Sequence, residues 1–335
     1  MTKALKPAPE PTLSDVAALA GVSRAIASRA LSAQPRPVST DKRERVMRAA
    51  ETLGFRPNSL ARGLANKSVN LVAILVNHIH DLSDLDLFDL LLAEIQAIGK
   101  QVIFIRVGTG EDAERFLRDG VAYHVDAALV FADFADAATM RTMFRNNAVL
   151  MLNGHQDAGA ASVTMDEARG IAEAVADAAA KGVRTATLLT GRMMSLVEQA
   201  RVASYRAALQ AHGIELLAEL AGDYSYDSGR ALARRIDVHA TDAVFCTSDA
   251  MAMGVLDAHR PHFPDHRPAR FRLYGFDNIS LTQFDAYPIS SIGADRREYV
   301  ALIVHMVRLL SQPADLAQRS DQLLIATRFV PRLTG

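Results

Sequence analysis

From residue 71 onward, short apolar runs alternate with amphipathic stretches of helical length, and this alternation restricts the chain more than any other feature. LVAILV (71–76), QVIFIRV (101–107), DAALVFA (126–132), AVLMLN (148–153), TATLLT (185–190), DAVFCTS (242–248) and FRLYGF (271–276) read as buried strands. Leu87–Gly99, Arg169–Lys181 and Val202–His212 read as helices between them. The pattern predicts parallel sheets in a doubly wound α/β arrangement. Ligands in such folds sit beyond the carboxyl ends of strands, which directs attention to the residues after each run.

The first 68 residues have a different texture. The net charge of −1 conceals a division: residues 1–68 hold 12 Lys and Arg against 5 Asp and Glu, a balance of +7, and the remainder holds 25 against 33, or −8. A small basic head on a larger acidic body points to a polyanion as the head's partner, with a merely solvated basic surface as the alternative that charge alone leaves open. The single cysteine, Cys246, excludes a disulfide framework and fits a reducing compartment. MTKALKPAPEPTLSD has no apolar core of a signal peptide, and no run of about 18 uncharged apolar residues follows, so a soluble cytoplasmic protein with no membrane association is expected.

Within the head, Thr12 begins a Thr-x-x-Asp pattern ending at Asp15, which favours a helix start, and Leu13, Val16, Ala17 and Ala20 recur at helical spacing. Gly21 ends this helix and Ser23 caps the next, so two short helices joined by a tight turn form a helix-turn-helix candidate. In that motif the second helix enters the major groove by its N-terminal residues, here Ser23, Arg24 and Ala25, with Ser28 and Arg29 one turn on. Ile26, Ala27, Ala30 and Leu31 are left to anchor the other side. The arginine fork suits guanine O6 and N7, whereas Ala25 offers only apolar contact, for example to a thymine methyl. Ser39 is placed to start a third helix running to about Leu53, Gly54 to stop it and Phe55 to close a small core. After Pro57, Asn58 or Ser59 caps a short helix carrying Leu60, Ala61, Leu64 and Ala65.

The colinear run from Thr12 to Ser68 resembles the DNA-binding head and hinge of the lactose-repressor (LacI/GalR) family of bacterial transcription regulators. The signature Asp15-Val-Ala…Ala-Gly-Val-Ser23, the Val38-Ser39 start of the third helix, the turn Gly54-Phe-Arg-Pro-Asn58 and the hinge Ala61-Arg-x-Leu-Ala65 carry the likeness. The resemblance implies that Arg24 and Ala25 are the main base-reading residues, with Arg29 supporting and Arg24 favouring a G-containing step in each half-site. It places Thr12, Ser23, Ser28, Ser39, Asn58, Ala61 and Arg62 at the DNA as well. Two hinge helices would pair in the minor groove of double-stranded operator DNA, and Leu64 would wedge between central base pairs.

The resemblance continues more loosely through Arg201-Val-Ala-Ser-Tyr-Arg-Ala-Ala-Leu209, Thr247-Ser-Asp-Ala-Met-Ala-Met-Gly254 and Leu273-Tyr-Gly-Phe-Asp-Asn278. It implies two similar lobes, like a periplasmic sugar-binding protein, with a small-molecule effector in the cleft. Arg201, Ser248, Asp277 and Asn153 are then the polar anchors, with Phe88, Phe131, Tyr224 and Phe276 as aromatic candidates. Such a set suits a polyhydroxylated or acidic ligand, a sugar, sugar acid or related metabolite. An ion pair between Asp277 and Arg201 is the purely structural alternative.

Two stretches depart from the family pattern. NHIHDLSDLDLF (77–88) brings Asp81, Asp84 and Asp86 where the family has an Asn-Pro-aromatic loop, and Asp166-Glu167 stands where Asp-Asn is usual. With no Trp in the chain, a neutral hexose is not a safe expectation. His78, His80, Asp81 and Asp84 also raise a metal-binding reading, so a metal-responsive or effector-independent regulator is the alternative. An enzyme is not expected, and neither is a resident cofactor: VGTGED (107–112) lacks the spacing of phosphate-cradling loops, no GxSxG elbow occurs, and Cys246 sits inside a buried strand.

The expected organisation is an all-α helix-turn-helix head (1–57), a hinge helix and linker (58–69), and a two-lobed body (70–335). The first lobe would span about 70–162 plus 292–323, and the second about 163–291 plus 324–331. Two-fold symmetry of the hinge requires a homodimer, with Leu87, Phe88, Leu91, Leu92 and Ile95 offered as part of its seam. FVPRLTG follows the last expected strand without a leucine heptad tail, so a dimer and not a tetramer is expected.

Overall fold

Thr12 and Asp15 form a reciprocal capping box: the Thr12 amide and hydroxyl each donate to Asp15 Oδ2 at 2.7 Å, and the Asp15 amide donates to Thr12 Oγ1 at 3.4 Å. The box opens α1 (Leu13–Ala20) in a computed structural model that describes residues 11–32, 37–56, 69–77, 79, 81–108, 115, 125–133, 136–144, 148–154, 159–311 and 321–335. Gly21 closes the helix at φ 62°, a left-handed conformation that a Cβ would disfavour. The Ser23 hydroxyl accepts from the Ile26 amide and starts α2 (Arg24–Ala30). Next is α3 (Thr40–Leu53); Ser39 takes its N-cap position with extended backbone but makes no side-chain capping bond. Val16, Ala17, Ala20, Ala27, Ala30, Val46, Ala49 and Ala50 form a small core of their own, with Phe55 packed against it. Asn58, Ala61, Arg62 and Leu64 lie outside the described residues.

Residues 1–69 and 70–335 form separate units. The body begins with β1 (Leu71–Val76), α4 (Leu82–Ala97), β2 (Gln101–Arg106), β3 (Ala127–Val130), α5 (Ala137–Phe144), β4 (Val149–Met151) and β5 (Ala161–Asp166). It continues with α6 (Glu167–Ala180), β6 (Thr185–Thr190), α7 (Leu196–Ala211), β7 (Glu215–Ala221), α8 (Tyr226–Ala233), β8 (Ala243–Cys246), α9 (Asp249–Ala258), β9 (Arg272–Phe276) and β10 (Ser290–Ala294). Then α10 (Arg296–Leu310) and β11 (Gln322–Val330) complete it.

The strands run in the order β2-β1-β3-β4-β5-β11-β10-β9-β8-β6-β7, and β11 is the link between the lobes. Its first five residues pair in parallel with β5, Gln322 opposite Ser162 through Ala326 opposite Asp166, and its last four pair antiparallel with β10. Every other strand pair is parallel. Two-residue alternation distributes each strand between two faces. Along β1, Val72, Ile74 and Val76 pack with Phe88, Leu91 and Ile95 of α4 and with α10, whereas Ala73 and Leu75 pack with Met140, Met143 and Phe144 of α5. In the second lobe α6 and α7 cover one face and α8 and α9 the other.

All seven runs read as strands form, as do the three expected helices with longer N-termini; the last strand expected before FVPRLTG is β11, while β5, β7 and β10 were not expected. Three of the five residues offered for the dimer seam are corrected: Phe88, Leu91 and Ile95 are 6 %, 0 % and 0 % exposed, because α4 turns this stripe into its own lobe, while Leu87 and Leu92 are half-buried. Among the described residues no helix is long and apolar enough to cross a membrane.

Candidate functional site

On α2 the sequence divides its residues cleanly. Ala27 and Ala30 are buried, while Ser23, Arg24, Ala25, Ser28 and Arg29 are all exposed along one face. Arg43 of α3 donates to the carbonyl of Ala30 at 3.2 Å and satisfies the end of the helix, so the exposed arginines carry no part of the head's core. Thr12 is exposed, but its hydroxyl is committed to Asp15.

In the body, two cavities lie side by side between the lobes, beyond the carboxyl ends of the strands. The smaller, about 150 Å³, is lined by Asp81, Leu82, Ser83, Arg201, Tyr224, Ser248, Ala250, Asp277 and Ile279. The larger, about 490 Å³, has an apolar wall that includes Phe131, Leu152, Val163, Met165, Leu196 and Val197, with Asp84, Asp166, Glu167 and Arg296 among its charged residues. Arg201, Asp277 and Ser83 border both.

Arg201 is bonded on every side. It meets Glu167 bidentately at 2.9 and 2.7 Å, donates to the Thr247 carbonyl at 2.8 Å, lies 3.7 Å from Glu198 and stacks 3.8 Å above the Phe276 ring. Burial works against its charge, but Glu167 and then Glu198 and Asp277 outweigh it, so the guanidinium is held more basic than usual. Glu198 is fully buried and accepts from the Gly191 amide, the Thr247 hydroxyl and the Tyr224 hydroxyl. Gly191 permits this: a Cβ there would lie 1.9 Å from the Tyr224 ring. Tyr224 holds φ at 73°, and burial pushes its phenol up. The Ser248 hydroxyl donates to the Tyr224 carbonyl and accepts from Met251, capping α9.

Asp277 sits at φ 97°, a strained setting pinned by its amide bond to the Ile292 carbonyl. Burial raises its carboxyl well above the ordinary range; Arg201 opposes this, while Asp249, Glu167 and Asp81 reinforce it. The purely structural Arg201–Asp277 pair is not what forms, since Glu167 takes the guanidinium. An acidic ligand thereby loses the free cation on which that expectation rested.

Six of the eight residues expected at the ligand border a cavity. Phe88 does not: it lies in the first lobe's core, edge-on to Phe104 and Phe131 at 5.2 and 5.4 Å. Asn153 is 3 % exposed and donates to the Ala132 carbonyl, so it braces the strand ends. Phe276 borders the larger cavity chiefly as the platform for Arg201.

The acidic 81–86 stretch turns out to fasten the lobes. Asp81 pairs with Arg192 at 2.6 Å, and Asp86 accepts from the Ser280 amide and hydroxyl at 2.7 and 2.9 Å. Arg296 reaches Asp86 at 3.5 Å and donates to the carbonyls of Asp277 and Asn278. Sequence reasoning missed Glu167, Glu198 and Arg192 as part of this site. Glu198 could have been found, because it stands three residues before Arg201 on one helix. His78 and His80 lie outside the described residues, as does most of 107–112; among the described residues no group of three or more His, Cys, Asp or Glu is arranged for a metal.

A helix-turn-helix head with a polar exposed face, carried on the same chain as a two-lobed α/β body with cavities between its lobes, defines a DNA-binding regulator built on a binding-protein-like body. Residues 12–58 match the model for bacterial regulatory proteins of the lacI family, and residues 175–334 match a periplasmic binding protein-like domain. The transcriptional regulator CelR of Thermobifida fusca is 28 % identical over 97 % of this chain and 92 % of its own length. Catabolite control protein A of Priestia megaterium is 26 % identical over 84 % and 86 %. A lac repressor dimer bound to operator and the anti-inducer ONPF shares the fold at TM-score 0.83, 23 % identity, and coverage of 97 % and 98 %. A CelR–cellobiose complex aligns at TM-score 0.67 and 25 % identity, covering 97 % and 100 %. The chain thus joins a lacI-family head to a periplasmic binding protein-like body. It is a DNA-binding transcriptional regulator and not an enzyme.

Proposed function

We propose that this regulator acts in the cytoplasm as a homodimeric repressor, gripping a two-fold symmetric operator through Arg24, Ala25 and Arg29 and changing that grip when a small metabolite enters the interlobe cleft. The observation that carries the reading is the division of α2, whose every basic and hydroxyl side chain is exposed, with Ala25 beside them, while Ala27 and Ala30 hold the core. Arg201, Tyr224, Ser248 and Asp277 form the polar side of the ligand site and Phe131 belongs to its apolar side. The operator in the lac repressor dimer structure and the cellobiose in the CelR structure support operator binding and a small hydroxylated effector here.

Selection from a randomised duplex pool, followed by fluorescence anisotropy, tests it. A two-fold symmetric sequence should be enriched and bound as a dimer, and one metabolite class should shift that affinity about 5–150-fold. Equal affinity for selected and scrambled duplexes at every salt concentration would refute the reading.

A further inference from the structure

The three guanidinium groups at the cleft already have carboxylate partners. Arg201 has Glu167 and Glu198, Arg192 has Asp81, and Arg296 has Asp86. Arg192 further donates to the Asp223 carbonyl, and Arg296 to those of Asp277 and Asn278. The carboxylates are not all matched in turn. Among the described residues, the side chain of Asp277 accepts no hydrogen bond and makes no ion pair within 4.0 Å, although it borders both cavities, and Asp166 faces the larger one in the same state.

A sheltered carboxylate without a donor is costly, and Asp249, Glu167 and Asp81 add like charge around this one. A ligand that brings its own positive charge removes that cost, whereas an anion adds to it. The lining of the larger cavity also offers Phe131, Leu152, Val163, Met165, Leu196 and Val197 to an apolar ring or face.

Resting on the reading of this cleft as the ligand site, we infer that the effector carries a protonated amine, set against Asp277, on a body that presents an apolar face to the larger cavity. Arg201 serves as a braced wall of the site, stacked on Phe276, and is not the receptor for a ligand carboxylate.

Charge-matched probes test this on the full chain by calorimetry and thermal shift. One set is D-glucosamine, D-glucose and D-glucuronate; the other is phenethylamine, phenethyl alcohol and phenylacetate. In at least one set the amine should bind about tenfold or more tighter than both companions. In Asp277→Asn that preference should shrink to about threefold or less. Neutral or acidic members that match or exceed the amine in both sets would overturn the inference while leaving the cleft as a ligand site. Absence of amine binding at millimolar concentration would overturn it too, as would an amine preference that survives in Asp277→Asn. The comparison on the unmodified chain decides the matter even if the variant does not fold.

Discussion

Asp81, at the N-cap of α4, and Arg192, in the loop after β6, meet at 2.6 Å across the cleft although 111 residues separate them. Arg192 also lies 4.6 Å over the Tyr224 ring, so one guanidinium ties the first lobe to a wall of the smaller cavity. Asp81→Asn keeps the shape and removes the charge. A partly sheltered pair of this kind contributes about 1 kcal/mol. Because that contact joins two lobes, the variant should melt a few degrees lower and give a larger radius of gyration by small-angle scattering. An unchanged melting curve together with an unchanged scattering profile would contradict the fastening role.

Removing Glu167 should be costlier, since it leaves buried Arg201 with Glu198 at 3.7 Å as its nearest remaining carboxylate. Glu167→Gln is expected to cost about 3 kcal/mol, the usual size for breaking one side of a buried pair. A shift in the urea midpoint at unchanged slope would register it. A loss of only a few tenths would show that Glu198 and the Thr247 carbonyl suffice.

Arg24 makes no contact in the head's core and stands exposed at the start of α2. Arg24→Ala should therefore leave the melting temperature unchanged and weaken the selected operator by about 1–3 kcal/mol, with far less effect on scrambled duplex. Equal weakening of both would reassign Arg24 to phosphate contact.

Asp249 is fully buried, and burial raises its carboxyl to about 7 despite bonds from the Ser291 hydroxyl and the Ile279 amide. In the unfolded chain it titrates near 3.8. Between these values the folded state holds the extra proton, so stability falls as pH rises from about 4 to about 7, and the full benefit is present only below that window. Asp277, also raised, acts in the same direction. Urea unfolding across this range should show the decline, and Asp249→Asn should flatten it. A stability that climbs steadily to pH 7 in both proteins would dispose of the assignment.

Much of the fold was legible because it rests on neighbours in the chain. The unexpected strands show where such reading stops. β7, ELLAELA, lies at a sheet edge with most of its residues at least partly exposed, so its apolar signal is diluted. β10, SSIGA, is buried, but its small residues are required from outside: Ser291 bonds Asp249, and a Cβ on Gly293 would meet Asn278 and Asp277. Phe88 and Asn153 were misplaced for a related reason, since a residue beside a strand end points into either the cavity or the core, and only packing chooses.

The amino-acid order alone determined the head. Its caps at Thr12 and Ser23, its stop at Gly21 and the exposed face of α2 all follow from groups within one or two helical turns of each other, where chain connectivity fixes the geometry. Which charges share the cleft was decided by the tertiary structure. Glu167 reaches Arg201 across 34 residues and Asp86 reaches Ser280 across 194, distances that only the winding of two sheets through β11 closes. Asp81, Asp86 and Glu167, which looked like departures from a ligand site, are for that reason partners of its arginines.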